Sequence, residues 1–181
     1  SSHTPLIIEG ARGSGKTMIL KFLSYFCQKE VALDKKEEDV VGYICKKGGI
    51  GFYYRYNAHF DKLIHDLSCS DEVKKELFCY YYDLFLSLEI LNVLEDIQKN
   101  LYVDQKEMDI LADRICSALA LEDRDIKNMK ETISEWTYEI DEWIRNYKYY
   151  SGSEERLKNM IHGSDMVRKL CNFIKSCISR F

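Results

Sequence analysis

The rhythm of hydrophobic and polar positions changes several times along the chain. Residues 5 to 9, Pro-Leu-Ile-Ile-Glu, make a short apolar run rich in β-branched residues that stops at Gly10, which predicts a buried strand feeding a glycine turn. From Gly15 the spacing becomes helical, with Met18, Ile19, Phe22, Leu23 and Phe26 on one face until Gln28-Lys29-Glu30. Residues 34 to 39, Asp-Lys-Lys-Glu-Glu-Asp, are all charged and read as a solvated linker. After Gly48-Gly49, residues 50 to 57 (Ile-Gly-Phe-Tyr-Tyr-Arg-Tyr-Asn) alternate and are rich in aromatics, which predicts a second strand.

Beyond residue 60 the strand signal vanishes. Ser70 can cap a helix that has Asp71 and Glu72 in its first turn, and Leu77, Tyr81, Leu84, Leu88 and Leu91 then recur in a heptad seam. A shorter helix near 105 to 120 groups Met108, Leu111, Ile115 and Leu119. The next, from about 122 to 147, sets Ile126, Met129, Ile133, Trp136, Ile140, Trp143 and Tyr147 at unbroken 3-4 spacing. Two long helices with matched seams should pair. Ser151-Gly152-Ser153 interrupts the pattern, and a last amphipathic helix starts after Gly163-Ser164.

The element order, with the glycine-rich loop Gly10-Ala11-Arg12-Gly13-Ser14-Gly15-Lys16-Thr17 between the first strand and its helix, predicts an α/β P-loop NTPase core, partial in this chain, carrying a large, mostly α-helical insertion with long paired helices. The corresponding division is 1–59 for the start of the core, 60–162 for the helical insertion and 163–181 for a helix returning to the core. The first residues, Ser1-Ser2-His3-Thr4, and the last, Cys177 to Phe181, read as internal to a longer chain.

Composition narrows the classes. With 181 residues, 46% hydrophobic and 31% charged, the chain is neither disordered nor low-complexity. No uninterrupted apolar run approaches the roughly 18 to 20 residues of a membrane span, so no membrane partner is expected. Seven cysteines without CxxC pairs suggest reduced thiols in a cytoplasmic protein. The net charge of −4 gives no global electrostatic reason to bind nucleic acid. Residues 121 to 155 hold ten acids against five bases, and residues 158 to 181 hold five bases against Asp165, so any DNA contact would be local to that last stretch.

The chemistry concentrates in Gly10-Ala11-Arg12-Gly13-Ser14-Gly15-Lys16-Thr17, which satisfies the Walker A pattern between an expected strand and an expected helix. Glycines 10, 13 and 15 are expected to take positive φ angles and bring backbone N–H groups to the phosphates of ATP, reinforced by the following helix. Lys16 would bridge the β and γ phosphates and the Thr17 hydroxyl would ligate Mg²⁺. Phosphoryl transfer also needs a carboxylate at the tip of a second buried strand. The nearest patterns, Leu91 to Asp96 and Glu139 to Glu142, fall inside helical periodicity, so the Walker B strand is expected after Phe181.

The blocks LIIEGARGSGKTMILKFLSYFCQ, GIGFYYRYNAHF and FCYYYDLFLSLEILNVLEDI together resemble bacterial P-loop ATPases related to the origin-recognition AAA+ family, with a STAND-like ATPase as a near variant. The resemblance implies that a helical segment separates the second strand from the Walker B strand, that the helix over 164–181 precedes that strand, and that Lys16 and Thr17 carry the family's roles. It implies an ATPase that couples nucleotide binding and hydrolysis to conformational change or oligomerisation, with DNA transactions or phage defence as its setting. Self-association or a protein partner would use the helical insertion.

Several residues admit two readings. Arg12 either faces solvent or touches phosphate or a neighbouring subunit, and Glu9 either bonds loop amides or ends an exposed strand. Arg55 either stacks on its neighbouring tyrosines or points to the nucleotide. His59, His65 and Cys69 are too few for a closed zinc site. Tyr80-Tyr81-Tyr82 could stack bases but falls on the heptad seam, where packing is the stronger reading. Two other classes stay open: a non-catalytic nucleotide-binding module that docks a protein partner, and an SMC or ABC-type ATPase. The latter usually shows Asn in the loop, where Arg12-Gly13-Ser14 stands here.

Overall fold

A computed structural model describes residues 8–47, 49–54, 58–100, 106, 109, 110, 113, 116, 117, 126–147, 167, 168, 170 and 171. The chain divides into two compact units, Ser1–Tyr53 and Tyr54–Phe181.

The first unit contains α1 (Lys16–Phe22), α2 (Tyr25–Asp34) and α3 (Val40–Lys46). The single helix expected after Gly15 is broken at Leu23-Ser24, because local polar groups take over the backbone there. The Ser24 hydroxyl donates to the Lys21 carbonyl at 2.6 Å, and the buried Gln28 side chain donates to the Phe22 carbonyl at 2.5 Å. These bonds cap the end of α1 and start a new axis. The small core is Tyr25, Ala32, Val40 and Ile44, at the seam between α2 and α3. Helix α3 has no strong sequence signal, being Val-Val-Gly-Tyr-Ile-Cys-Lys, yet it forms behind a capping residue. The Asp39 carboxylate accepts the Gly42 N–H at 2.8 Å. Asp39→Ala is expected to cost α3 about 1 kcal/mol, visible as roughly fivefold faster hydrogen exchange of its amides in the intact chain.

The second unit contains α4 (Ala58–His65), α5 (Asp71–Asn100) and α6 (Ile126–Asn146). Ser70 starts α5 as expected, its hydroxyl accepting the Val73 N–H at 3.3 Å and its carbonyl the Lys74 N–H. Helices α5 and α6 pack along their seams, burying Leu77, Tyr81, Leu84 and Leu91 from one and Met129, Ile133, Ile140 and Trp143 from the other, while Leu88 and Trp136 of the expected seams are half-buried and Ser87 is buried beside Leu88. Each buried aliphatic side chain contributes about 1.5–3 kcal/mol by leaving water. At the far end of the seam the Glu95 carboxylate, a fifth exposed, takes Lys130 from α6 and Lys99 from its own helix. The hydrogen bond from Lys130, then that from Lys99, holds its carboxyl below the ordinary range. The six described residues between 101 and 125 are all helical, in line with the shorter helix expected there, and Cys116 among them is buried.

The expected α/β core is corrected by this structure. Among the described residues all regular structure is helical, six helices being described along their length, and there is no strand. Residues 5–7 and 55–57 of the two expected strands lie outside the described residues, and the remainder, 8–9 and 50–54, enter no ladder. The reason is visible in residues 50 to 54. The Gly51 carbonyl accepts the Tyr25 N–H at 2.8 Å, and a Cβ on Gly51 would meet the Leu23 carbonyl oxygen at 2.1 Å. The segment crosses the α1–α2 junction at close range, so its backbone serves a helix start in place of a neighbouring strand. Its aromatic alternation is spent on side chains: Lys21 lies over the Tyr53 ring at 5.7 Å, and Tyr54 packs edge-on against Tyr82 and Phe85 of α5. Burial pushes the Tyr54 phenol well above its usual range.

The missing sheet also shows on α1. No residue of α1 is buried, and Met18 is 71% and Phe22 51% exposed, so the face expected to enter the core is at best half covered. One described stretch, Asp71–Ile97, is long and apolar enough to cross a membrane by length and composition, with half of that window buried inside the unit. The uninterrupted-run criterion passed over it because Asp83 and Glu89 break the run.

Candidate functional site

The loop from Gly10 to Gly15 is a tight turn before α1. The Ser14 N–H donates to the Ala11 carbonyl at 3.2 Å, and Gly15 caps α1, its carbonyl accepting the Ile19 N–H at 3.1 Å. Gly13 and Gly15 sit at φ +86° and +83°, left-handed values that a side chain strains. Two of the three glycines expected at positive φ are therefore there. Gly10 is not; a Cβ there would stand 2.7 Å from the Ser14 hydroxyl oxygen, so the Ser14 side chain would have to shift.

Lys16 is the centre of the arrangement. Its ammonium donates to the Gly10 carbonyl, to the Ala11 carbonyl at 2.8 Å and to the Ser14 hydroxyl at 3.0 Å. Thr17 follows in the first turn of α1 with its side chain exposed, as are Glu9 and Arg12. All eight residues of the motif thus lie in one described segment, with the lysine folded over the loop and the threonine next to it. The residue types suit Mg-ATP: an ammonium at the loop, a neighbouring hydroxyl and glycines at the two left-handed positions.

The second unit holds the other singled-out residues. Glu95 is engaged by Lys130 and Lys99, and Asp141 by Arg145 at 2.8 Å, each within a helix as the periodicity implied. Tyr80 and Tyr81 are buried, with Tyr81 stacked on Phe60, so the tyrosine run packs the core. His65 ends α4 with its Nδ1 3.5 Å from Asp66, and Cys69 lies in the following turn. Among the described residues no group of three metal-ligating side chains converges. Arg55 lies outside the described residues. A cavity of about 360 Å³ opens between α4, α5 and α6, floored by Phe60, Tyr81 and Phe85 and rimmed by Thr137 and the Asp141–Arg145 pair.

Sequence reasoning missed one cluster entirely. Lys35 donates to the Tyr43 hydroxyl at 3.1 Å, and Lys35 and Lys47 lie over the Tyr43 ring at 5.5 and 5.3 Å. The Lys35 hydrogen bond lowers the Tyr43 phenol and raises the Lys35 ammonium. Its only signal was the lysines themselves, because α3, which brings Tyr43 to them, had no periodic pattern. The contact between Gly10 and Ser14 was missed as well, since a Walker A pattern leaves that serine unspecified.

A family model described as ORC-CDC6-like matches residues 1–181. Neither the curated proteins nor the solved structures yield a match.

Proposed function

The chain belongs to the ORC-CDC6-like family, and on that premise we propose that residues 10–17 bind ATP with Mg²⁺ in an origin-recognition-type AAA+ ATPase. The family gives the AAA+ ATPase-related class. The nucleotide site is supported by one observation: a Walker A loop whose Gly13 and Gly15 take positive φ and whose Lys16 ammonium lies against the loop. In this reading Lys16 neutralises the β and γ phosphates, Thr17 holds the metal ion, and the loop residues Gly10 to Gly15 surround the phosphate chain. Mg²⁺, when bound, offsets the charge that develops on the transferred phosphoryl group.

Residues 1–59 form the nucleotide-binding part in this proposal. The paired helices within 60–162 are the rigid element that conveys nucleotide state to a second copy or a protein partner, in the cytoplasm. Hydrolysis draws its metal-holding carboxylate from none of Glu95, Asp96 or Asp141, which sit in helices.

The test is a fluorescence titration of the chain with an N-methylanthraniloyl ATP analogue and Mg²⁺. Saturable binding that unlabelled ATP displaces, and that EDTA weakens, is the expected result. A chain with native helical circular dichroism and no displaceable binding up to millimolar nucleotide overturns the proposal.

A further inference from the structure

The cavity of about 360 Å³ between α4, α5 and α6 has the size of a small-molecule site and lies wholly within the second unit. Phe60 and Tyr81, 1% and 4% exposed, make its dry base. The rings within reach of a ligand are Phe85, half-buried on α5, and Tyr138, 68% exposed on α6. Aromatic faces are electron-rich and draw cations.

The polar lining that α6 supplies has the same sign. Ser134 and Thr137 donate their hydroxyl protons back along the helix, to the carbonyls of Lys130 at 2.6 Å and Ile133 at 2.8 Å. A hydroxyl has one proton, so each keeps only acceptor lone pairs for a ligand. The Asp141 carboxylate takes Nε and Nη2 of Arg145 on its Oδ2, each at 2.8 Å, and no described residue donates to Oδ1. Arg145 is the lining residue with a fixed positive charge, and Asp141 offsets it. Glu135 and Glu142, about one turn to either side of Tyr138, are exposed and have no ion-pair partner among the described residues. Ring faces, lone pairs and carboxylates all disfavour an anion.

We infer that this cavity binds a guanidinium on an aliphatic stem, supplied by an arginine side chain of a protein partner. A planar guanidinium fits this lining better than an ammonium, because it stacks on aromatic rings while its in-plane N–H groups reach acceptors at the edge. Those acceptors are Ser134 Oγ, Thr137 Oγ1 and Asp141 Oδ1, and the stem lies along Leu63 and Phe85. Glu135 and Glu142 favour a partner chain over a free cation, since they do not line the cavity and serve basic neighbours of the arginine. The inference does not depend on the nucleotide site, so either can fail alone.

The test is fluorescence anisotropy of the intact chain with a fluorescein-labelled peptide, Gly-Lys-Gly-Arg-Gly-Lys-Gly, and its twin with citrulline for arginine. Citrulline keeps the shape and loses the charge, while the flanking lysines hold the bulk electrostatics constant. The arginine peptide is expected to bind about tenfold tighter than its twin, the lower range for hydrogen bonds to a charged group. Asp141→Asn should abolish that preference. Arg145→Gln should strengthen arginine binding several-fold by releasing the whole Asp141 carboxylate, and Glu72→Gln, in the first turn of α5 and outside the cavity lining, should do neither. Asp141 and Arg145 lie at the protein surface, and circular dichroism checks that both variants fold. Equal binding of the two peptides, or no saturable binding of either up to millimolar concentration, overturns the inference. So does weaker binding in Arg145→Gln, which would make the cavity an anion site, or an effect of Glu72→Gln equal to that of Asp141→Asn, which would reduce it to net charge. Agmatine, a free alkylguanidinium, is expected to compete only weakly; competition as tight as the peptide itself overturns the assignment to a protein partner.

Discussion

Replacing Lys16 by alanine is expected to weaken Mg-ATP binding roughly 30- to 150-fold, which corresponds to about 2–3 kcal/mol for a charge-assisted contact to phosphate. The loss is confined to binding. Among the described residues the ammonium of Lys16 bonds to atoms of its own loop, and alanine is at least as good as lysine in the first turn of a helix. Far-ultraviolet circular dichroism should be unchanged. Two effects oppose each other in the variant: the phosphate loses its cation, and the loop loses its self-contacts. The first is the larger, because a phosphate chain of several negative charges gains more from one ammonium than two carbonyls and a hydroxyl do. A titration in which the variant and the wild type bind alike removes Lys16 from the site and with it the reading of residues 10–17 as a nucleotide loop.

The helical unit was legible because its pattern is long. A seam such as Leu77, Tyr81, Leu84 and Leu91 repeats over many turns, and only one helix face can satisfy it. The same holds for Met129, Ile133, Ile140 and Trp143, and the start of α5 at Ser70 follows from a capping residue whose chemistry is local. The first unit was not legible for the converse reason. A strand is defined by what lies beside it, and the apolar alternation of residues 50–54 is equally served by Tyr54 packing on Tyr82 and Phe85. Helix α3 escaped because Asp39 does at its start what periodicity did elsewhere. Met18, Ile19 and Phe22 show the limit from the other side: their helical spacing holds within α1 but does not show that the helix stops before Phe26 or what covers the face.

At the loop, the residue types were legible and their state was not. The pattern identifies Lys16 and Thr17 by the chemistry phosphate requires, and it needs glycine where φ is positive, as at Gly13 and Gly15. It also led to the expectation of positive φ at Gly10, where φ is not left-handed and the Ser14 side chain lies close. Where the ammonium rests depends on which way the Gly10 and Ala11 carbonyls point, which leaves no trace in residue identity. The family model, which spans the whole chain, constrains the class of protein and leaves that direction open.

Trp143→Ala is expected to destabilise the second unit by about 3–5 kcal/mol, while Trp143→Phe should stay within roughly 1 kcal/mol of the wild type. Trp143 is 2% exposed on the face of α6 that also buries Ile140 and Ile144, with Tyr147 edge-on to its ring at 5.0 Å. Alanine removes the whole indole, forfeiting its transfer from water and leaving a cavity that a helix pair already packed along its seam cannot close. Phenylalanine keeps an aromatic ring in contact with Tyr147 and removes something unfavourable. The indole N–H is buried and finds no hydrogen-bond partner among the described residues, a cost of about 1–3 kcal/mol in the folded state alone. Losing that penalty offsets much of what the smaller ring gives up in contact. Urea unfolding of the intact chain, followed by circular dichroism at 222 nm, compares the three proteins. A Trp143→Phe variant as unstable as Trp143→Ala would show that the indole N–H is satisfied and that its hydrogen bond, rather than the ring, secures α6.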